Sequence, residues 1–240
     1  MASSPAPAPS HRLRGFRLWE VAAFTILVVA VVVLGLRHGS TSRSGLQGSG
    51  NAATQTRSLP PFTQVELAGG NNVSVTVGPR QRVVVHADDN LLDHITTRVV
   101  NGRLVVGDRG SFTTSAPTSV DVAVPRLDSL SLTGGGVLTA ASVHQRALSV
   151  TLPGGGVLRA TGAVDRLDVV LAGGGDAELG GLVARDATVR LPGGGRVVVD
   201  ATRSLDAAVS GAGVIVYAGN PRHVRSSVTG AGAITPGSTG

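Results

Sequence analysis

The stretch that decides the fold is Leu152–Ala160, LPGGGVLRA, because the chain repeats its pattern six times. The triplets begin at Gly134, Gly154, Gly173, Gly193, Gly211 and Gly230. Their spacings are 20, 19, 20, 18 and 19 residues. A period of about 19 residues predicts a solenoid, in which each turn of chain buries its apolar face against the neighbouring turns.

Apolar and outward residues alternate on both sides of each triplet. Before Gly154 the core-facing positions are Leu148, Val150 and Leu152, and after it they are Leu158 and Ala160. This period of two predicts half-buried strands on either side of a glycine corner. From the second repeat onward these windows place no charge on the inner face, whereas the first repeat has Asp128 there, where we expect a strand to begin.

The triplets are predicted to form a column at one corner of the solenoid. Glycine accepts a positive φ and puts no Cβ between closely stacked backbones. Ala212 and Ala231 replace the middle glycine in the last two copies. We nevertheless expect Gly174→Val or Gly194→Val to destabilise the corner. A phosphate-binding loop would need a helix after the glycines, and strand-forming residues follow them instead.

Composition and charge exclude several classes of function. The 240 residues include no cysteine, so disulfides, thiol chemistry and Cys-ligated metals are excluded. All 21 basic residues are arginine, and the net charge is +6. Residues 58–240 hold 15 arginines against 14 acids, so the predicted domain is nearly neutral. We therefore expect no basic stripe on the repeats and no nucleic-acid partner.

The N-terminal part of the sequence predicts a membrane anchor. Val21–Leu36 is sixteen residues without a charge, and Leu18 and Trp19 extend it to a length that can span a bilayer. Arg12, Arg14 and Arg17 place the N-terminus inside. A cleavable signal peptide is the alternative, although no A-x-A motif follows the apolar run. The predicted organisation is a disordered cytoplasmic tail (1–17), a transmembrane signal anchor (18–36), a flexible Gly/Ser linker (37–58) and an extracytoplasmic β-solenoid (59–240).

A family resemblance covers about residues 60–235. Its residues are the opening F-x-x-V-x-L from Phe62, the stretch VHADDNLLDHITTRVVNGRLVV (Val85 to Val106), the passage AVPRLDSLSLTGGG (Ala123 to Gly136) and the ordered triplets. Together they resemble the GIN domain, the family labelled as the head domain of auto-transporter adhesins. The resemblance implies an all-β, right-handed parallel β-helix on the bacterial cell envelope, and it supplies no catalytic residues.

Few residues suggest chemistry. Asp88, Asp89 and Asn90, with Asp93 and His94, could bind Ca²⁺, or Asp89 or Asn90 could cap a short helical turn that Leu91 and Leu92 plug. Gly173–Glu178 resembles a Ca²⁺-binding β-roll only faintly, because the other repeats lack its aspartate. The candidate histidines show no metal-ligand spacing, and no Gly-x-Ser-x-Gly motif is present: His86, His94, His144 and His223. Phe62 and Tyr217 are predicted to point inward, and Phe112 to lie in an exposed loop.

The sequence therefore predicts no catalytic, cofactor-binding or metal residues, and a protein that is not an enzyme. The first hypothesis is a membrane-anchored, surface or adhesion-type binding scaffold. The second is a sensory or regulatory ectodomain of a cell-envelope stress system, and the third is a polysaccharide-active β-helix enzyme. Expected partners are the membrane, an envelope or cell-surface component, and a second copy that stacks on the terminal rung near Val228–Ile234.

Overall fold

Strands make up nearly all the regular structure in residues 45–114 and 117–237, which are the residues that this computed structural model describes. Among them no helix is long and apolar enough to cross a membrane. The predicted tail (1–17) and transmembrane helix (18–36) lie outside the described residues. The all-β solenoid is confirmed, and it has about five turns.

The N-terminal strands close one end of the solenoid. They are β1 (Leu46–Gln47), β2 (Ala52–Arg57), β3 (Gln64–Leu67), β4 (Asn72–Val77), β5 (Arg82–Asp88), a 3₁₀ turn (Asp89–Leu91), β6 (Ile95–Val100), β7 (Arg103–Asp108), β8 (Phe112–Thr113) and β9 (Ser119–Val124). β7 and β9 pair in parallel with β3 and β4, forming a turn beneath them. β2, β5 and β6 pair antiparallel with their neighbours.

The linker predicted for residues 37–58 needs correction within its described part. Residues 52–57 form β2, which pairs in antiparallel register with β5 from Ala52–Asp88 to Arg57–Val83. The short β1 pairs in parallel with β8. The Gly/Ser content suggested a flexible chain, but the edge of β5 offers unpaired backbone groups that this segment satisfies.

The repeats form the strands β10 (Ser129–Leu132), β11 (Val137–Leu152), β12 (Val157–Leu171), β13 (Asp176–Leu191), β14 (Arg196–Val209), β15 (Val214–Ala218), β16 (His223–Val228) and β17 (Ala233–Pro236). β11 to β14 each run from one triplet to the next and pair in parallel with the following turn. Val150, Val169, Val189 and Ala207 are successive partners, and all are buried. The predicted core-facing alternation is thus confirmed.

Each long strand bends between its two halves. Irregular register marks the bends, for example between Ala140 and Val143 in β11 and between Leu179 and Val183 in β13. The bends create a third side, whose buried residues include Val143, Leu182 and Ala184. Each turn therefore has a side before its triplet, a side after it and a short third side that joins them.

The glycine column is confirmed, and of the two expected reasons for glycine the close stacking of backbones holds whereas a positive φ is rare. A Cβ on Gly195 would lie 2.0 Å from the Gly175 carbonyl oxygen of the turn below, and one on Gly193 would lie 2.2 Å from that of Gly173. A Cβ on the middle glycines, Gly174 and Gly194, meets nothing within 4 Å. Among the triplet glycines, which all lie in the described residues, only Gly230 has a positive φ. Close approach at the first and third positions requires glycine, whereas the open space around a Cβ at Gly174 and Gly194 gives no support to the expected damage from Gly174→Val or Gly194→Val.

The N-terminal end of the glycine column is closed by polar side chains. Gly69 and Asn71 stack beneath Gly134 and Gly136. The buried Asn71 side chain donates to Asp108 and accepts a 2.8 Å hydrogen bond from Thr118 Oγ1. These hydrogen bonds satisfy polar groups that would otherwise be left unpaired at the N-terminal end of the column.

The C-terminal end of the solenoid is bare. Val224 and Val228, at core-facing positions of β16, are 43% and 45% exposed because no further described turn covers them. Ser226 occupies the position between them, where the four preceding turns have Val or Ala. The last turn thus exposes a short apolar edge.

Candidate binding surface

One corner of the solenoid carries an arginine at almost every turn. Eight residues before each triplet the chain has Arg126, Arg146, Asp165, Arg185, Arg203 and Arg222, and Arg166 follows Asp165 directly. All of these side chains are exposed. In β11 to β14 the position lies within the strand, at the start of the half that leads into the triplet, for example two residues before the buried Leu148. Successive turns stack roughly 4.8 Å apart, so these residues form a line parallel to the solenoid axis.

The line lies in a continuous shallow furrow. One open depression of about 690 Å³ extends from Arg126 to Asp165. A second, lined from Arg146 to Arg203, shares Arg146 and Asp165 with the first. A third begins at Asp186, which it shares with the second, and reaches Arg222. We call this surface the arginine furrow and define it by Arg126, Asp128, Arg146, Asp165, Arg166, Arg185, Asp186, Arg203 and Arg222.

The arginine furrow is more positive than the sides next to it. Its six arginines and three aspartates give a net charge of +3. On the repeats, the side before the triplets has the outward charges Asp168, Arg190, Asp206 and Arg225, and the side after them has Arg159, Asp176, Glu178 and Arg196. Each of those sides is balanced. The near-neutral total therefore hides a local excess of positive charge along one corner.

Two of the arginines are paired. Arg126 Nε donates to Asp128 Oδ1 at 2.7 Å. Arg203 pairs with Asp186, which also accepts a 2.5 Å hydrogen bond from Ser204 Oγ. The hydrogen bonds from Arg203 and Ser204, with the charges of Arg203 and Arg185, lower the pKa of Asp186 to about 2. The Asp186 carboxylate is therefore ionised at any physiological pH and neutralises Arg203.

Four arginines of the furrow keep their charge available. Among the described residues Arg146, Arg166, Arg185 and Arg222 make no ion pair and no side-chain hydrogen bond. They are distributed over four turns, from the second repeat to the last. Exposed guanidinium groups donate in pairs to carboxylate and phosphate oxygens, so the furrow is suited to bind anionic groups.

The prediction that the repeats carry no basic stripe is wrong. The signal is present in the sequence, since the arginines are spaced by 20, 20, 19, 18 and 19 residues, as closely as the triplets are. The alternation considered above covers only the six residues on either side of each triplet, and the arginines lie eight residues before it. The total charge of the domain does not show the stripe either, because acids elsewhere balance it. A residue type that recurs at the repeat period marks a surface line in a solenoid.

The predicted acidic cluster is structural. Asp89 and Asn90 bind the N-terminal chain: Ser49 N donates to Asn90 Oδ1 at 2.9 Å, Ser49 Oγ donates to Asp89, and Asn90 Nδ2 donates to Gln47 O at 2.9 Å. The predicted short turn is present at Asp89–Leu91 with Leu91 buried, but Asp88, and not Asp89 or Asn90, occupies its N-cap position, and the Asp88 side chain makes no capping hydrogen bond.

The remaining members of the cluster point to different partners. Asp93 is exposed, and His94 Nδ1 lies 2.8 Å from Arg109 O. Asp88 is fully buried; its Oδ2 accepts from Thr114 Oγ1 at 2.9 Å, and its Oδ1 has no hydrogen-bond partner. No group of three or more His, Cys, Asp or Glu in residues 45–114 and 117–237 could hold a metal ion.

The histidines do not meet one another, but His86 lies in a line of polar groups. Its Nδ1 is 3.2 Å from Thr54 Oγ1, and its Nε2 is 3.0 Å from Asp121 Oδ2. The order resembles a hydroxyl–imidazole–carboxylate triad. The side chains of His86 and Asp121 are 39% and 58% exposed on an open sheet formed by β2, β5 and β9. Such cross-strand contacts are common between neighbouring strands and do not exclude water as a catalytic site does.

The other candidates have ordinary structural roles. Asp176 lies beside Arg196 in register, and Glu178 pairs with Arg159 at 2.7 Å. The two acids of the segment that faintly resembles a Ca²⁺-binding β-roll therefore lie next to arginines. Phe62 is buried and Tyr217 is partly buried, as predicted. Phe112 is not freely exposed: it packs against the core and meets His94 edge to face, with ring centroids 6.5 Å apart.

The strands, the glycine column and the furrow define a β-solenoid with an open, charged surface. Residues 61–221 match the family described as "Putative auto-transporter adhesin, head GIN domain", and the chain belongs to that family. The resemblance noted from the sequence is thereby confirmed.

Solved structures share the fold. A protein from Bacteroides fragilis described as a putative adhesin aligns with a TM-score of 0.67 at 22% identity, covering 80% of this chain and all of that one. One from Parabacteroides distasonis described as a putative lipid binding protein aligns at 0.51 and 20% identity, covering 81% of this chain and 100% of its own. A putative adhesin from the same species aligns at 0.52 and 16%, with the same coverages. No curated protein matches the chain.

Proposed function

We propose that this chain is a non-enzymatic binding scaffold of adhesion type, which an N-terminal helix at residues 18–36 holds to the membrane with the solenoid outside the cytoplasm. The observation that carries the proposal is the arginine furrow, a long open surface on a rigid stacked body. The family description and the solved adhesin of the same fold support it.

The solenoid is suited to present a surface. Each turn buries its apolar residues against the next, so the outward columns keep fixed positions along the axis. The binding groups on one corner are preorganised, which lowers the entropic cost of holding an extended ligand.

An enzymatic role has less support. In polysaccharide-active β-helices, acids and bases cluster on one outer face, and here two of the three furrow acids, Asp128 and Asp186, are each paired with an arginine. The line Thr54–His86–Asp121 lies on an open sheet away from the furrow.

The topology can be tested on intact cells. Protease added outside should digest a C-terminal tag on the full-length protein and leave an N-terminal tag intact. Deleting residues 18–36 should release the protein from the membrane fraction. A protected C-terminal tag would contradict the extracytoplasmic location.

The binding role can be tested by crosslinking the tagged full-length protein in intact cells and identifying what it captures. Recovery of envelope polymer or cell-surface material supports the scaffold. Capture of a single membrane protein would overturn it in favour of a sensory or regulatory ectodomain of an envelope-stress system.

A further inference from the structure

We propose that the arginine furrow binds an anionic polymer of the cell envelope, a chain with one carboxylate or phosphate on each repeating unit, which lies along the solenoid axis. This inference rests on the proposed binding function and names the chemistry of the ligand. Its basis is that four unpaired arginines lie in one continuous furrow, Arg146, Arg185 and Arg222 at equivalent positions of their turns and Arg166 one residue further along its turn.

The shape of the furrow favours a chain. It runs from Arg126 to Arg222 through six successive repeats, which are five spacings or roughly 24 Å at the usual strand spacing. Its depressions are shallow and merge with one another, so a polymer can enter at either end and continue beyond it. A planar membrane would instead be matched by several parallel rows of basic residues on a flat side, and the flat sides of the repeats have balanced charge.

The side chains of the furrow favour an anionic polymer that carries no bases. Asp165 and Asp186 interrupt the line of arginines, so a ligand has to place its anionic groups at the unpaired arginines. A nucleic acid would gain little from its bases, because no Phe, Tyr or Trp side chain lines the furrow. A flexible polymer with one anionic group on each unit can place these groups at Arg146, Arg166 and Arg185.

Two variants with the same change in net charge test the inference. The furrow variant replaces Arg146, Arg166 and Arg185 with Gln. The control variant replaces Arg82, Arg98 and Arg190, which are exposed arginines without an ion pair outside the furrow, with Gln. None of these side chains supports the core, so circular dichroism melts should be the same for both variants and the wild type.

The full-length proteins in neutral detergent are titrated with polygalacturonate, which supplies carboxylates, and with poly(glycerol phosphate), which supplies phosphates. Neutral dextran and a single-stranded oligonucleotide of equal length are the comparison ligands. We expect the wild type to bind at least one of the two anionic polymers, and the furrow variant to lose about tenfold or more in affinity. The control variant should keep nearly all of it. The arm that binds identifies the anionic group.

A third variant should strengthen binding. Asp186→Asn removes a charge that neutralises Arg203, so the furrow gains one net positive charge. We expect a gain of about two- to fivefold in affinity at pH 7, and a weaker gain at high salt, where exposed charges are screened.

Several outcomes overturn the inference. They are equal losses in the furrow and control variants, no binding of either anionic polymer by the wild type, and tighter binding of the oligonucleotide than of both. If the furrow variant still captures its envelope partner in intact cells, the proposed scaffold function stands and the assignment of the furrow fails. If neither protein captures anything, the proposed function itself fails.

Discussion

Gly195→Ala and Gly194→Ala form a matched pair that tests why the triplets are glycine. Both add one methyl group, and both restrict the unfolded chain to the same extent. In the folded protein, however, they differ. The Cβ on residue 195 would lie 2.0 Å from Gly175 O and 2.8 Å from Leu171 Cδ2, whereas the Cβ on residue 194 meets nothing within 4 Å.

The cost at position 195 follows from the contact. The methyl group must retreat by about 1 Å from the Gly175 oxygen, because real Cβ contacts are essentially never closer than 3.0 Å. That movement separates two turns where Arg196 N donates to Gly175 O at 3.1 Å. Overpacking costs about 1–3 kcal/mol, and a lost backbone hydrogen bond costs about 1 kcal/mol more. We expect a loss of roughly 3 kcal/mol, equivalent to a fall of about 6–12 °C in the melting temperature of a domain of this size.

The assay is thermal unfolding of the full-length chain in neutral detergent, followed by far-ultraviolet circular dichroism. Gly194→Ala should melt at or slightly above the wild type, with a gain of up to about 1 kcal/mol from the restricted unfolded chain. Equal melting temperatures for the two variants, or a lower one for Gly194→Ala, would refute the argument from close approach.

Three further predictions concern the core, a partly buried acid and the bare end. Val189→Asp should cost about 3 kcal/mol or more, because Val189 is fully buried, while Arg190→Asp on the outward side should change the free energy of unfolding by about 0.5 kcal/mol or less; equal effects would mean that the two sides are misassigned. Burial raises the pKa of Asp200, so the charge of its carboxylate destabilises the fold at higher pH. Asp200→Asn should therefore raise the melting temperature at pH 7, and the gain should vanish as the pH falls to 3.8. A gain that persists below pH 3.8 would contradict this cause. If the terminal rung mediates self-association, sedimentation should show a concentration-dependent dimer that Val228→Lys abolishes, and a wild type that is monomeric at all concentrations would exclude it.

The core of the solenoid could be predicted because it depends on local alternation. A period of two at Leu167, Val169 and Leu171 indicates a buried strand face without knowledge of the neighbouring turns, and the structure buries all three. The turn at Asn101 and Gly102 also depends on local sequence, because Asn-Gly is typical of two-residue hairpin turns. It joins the antiparallel strands β6 and β7, and both residues have a positive φ.

Features that depend on contacts between turns were harder to predict. The sequence places three glycines at each corner, but only the stacked backbone shows that Gly193 and Gly195 contact the turn below while Gly194 does not. Ala212 and Ala231 at middle positions were the available clue, and they agree with this geometry. Strand β2 was missed because its partner β5 lies about thirty residues further along the chain.

The glycine column and the arginine furrow have the same physical origin. Parallel, in-register stacking places each position of the repeat directly above its equivalent in the next turn, so a residue that recurs at the repeat period becomes a continuous line. The fold depends on the inward columns and on the first and third glycines, where one added atom meets the backbone. The column eight residues before each triplet is exposed, and the structure tolerates either Arg185 or Asp165 there. The charge of the furrow can therefore change turn by turn without cost to the core, which allows the same solenoid to be adapted to different anionic ligands.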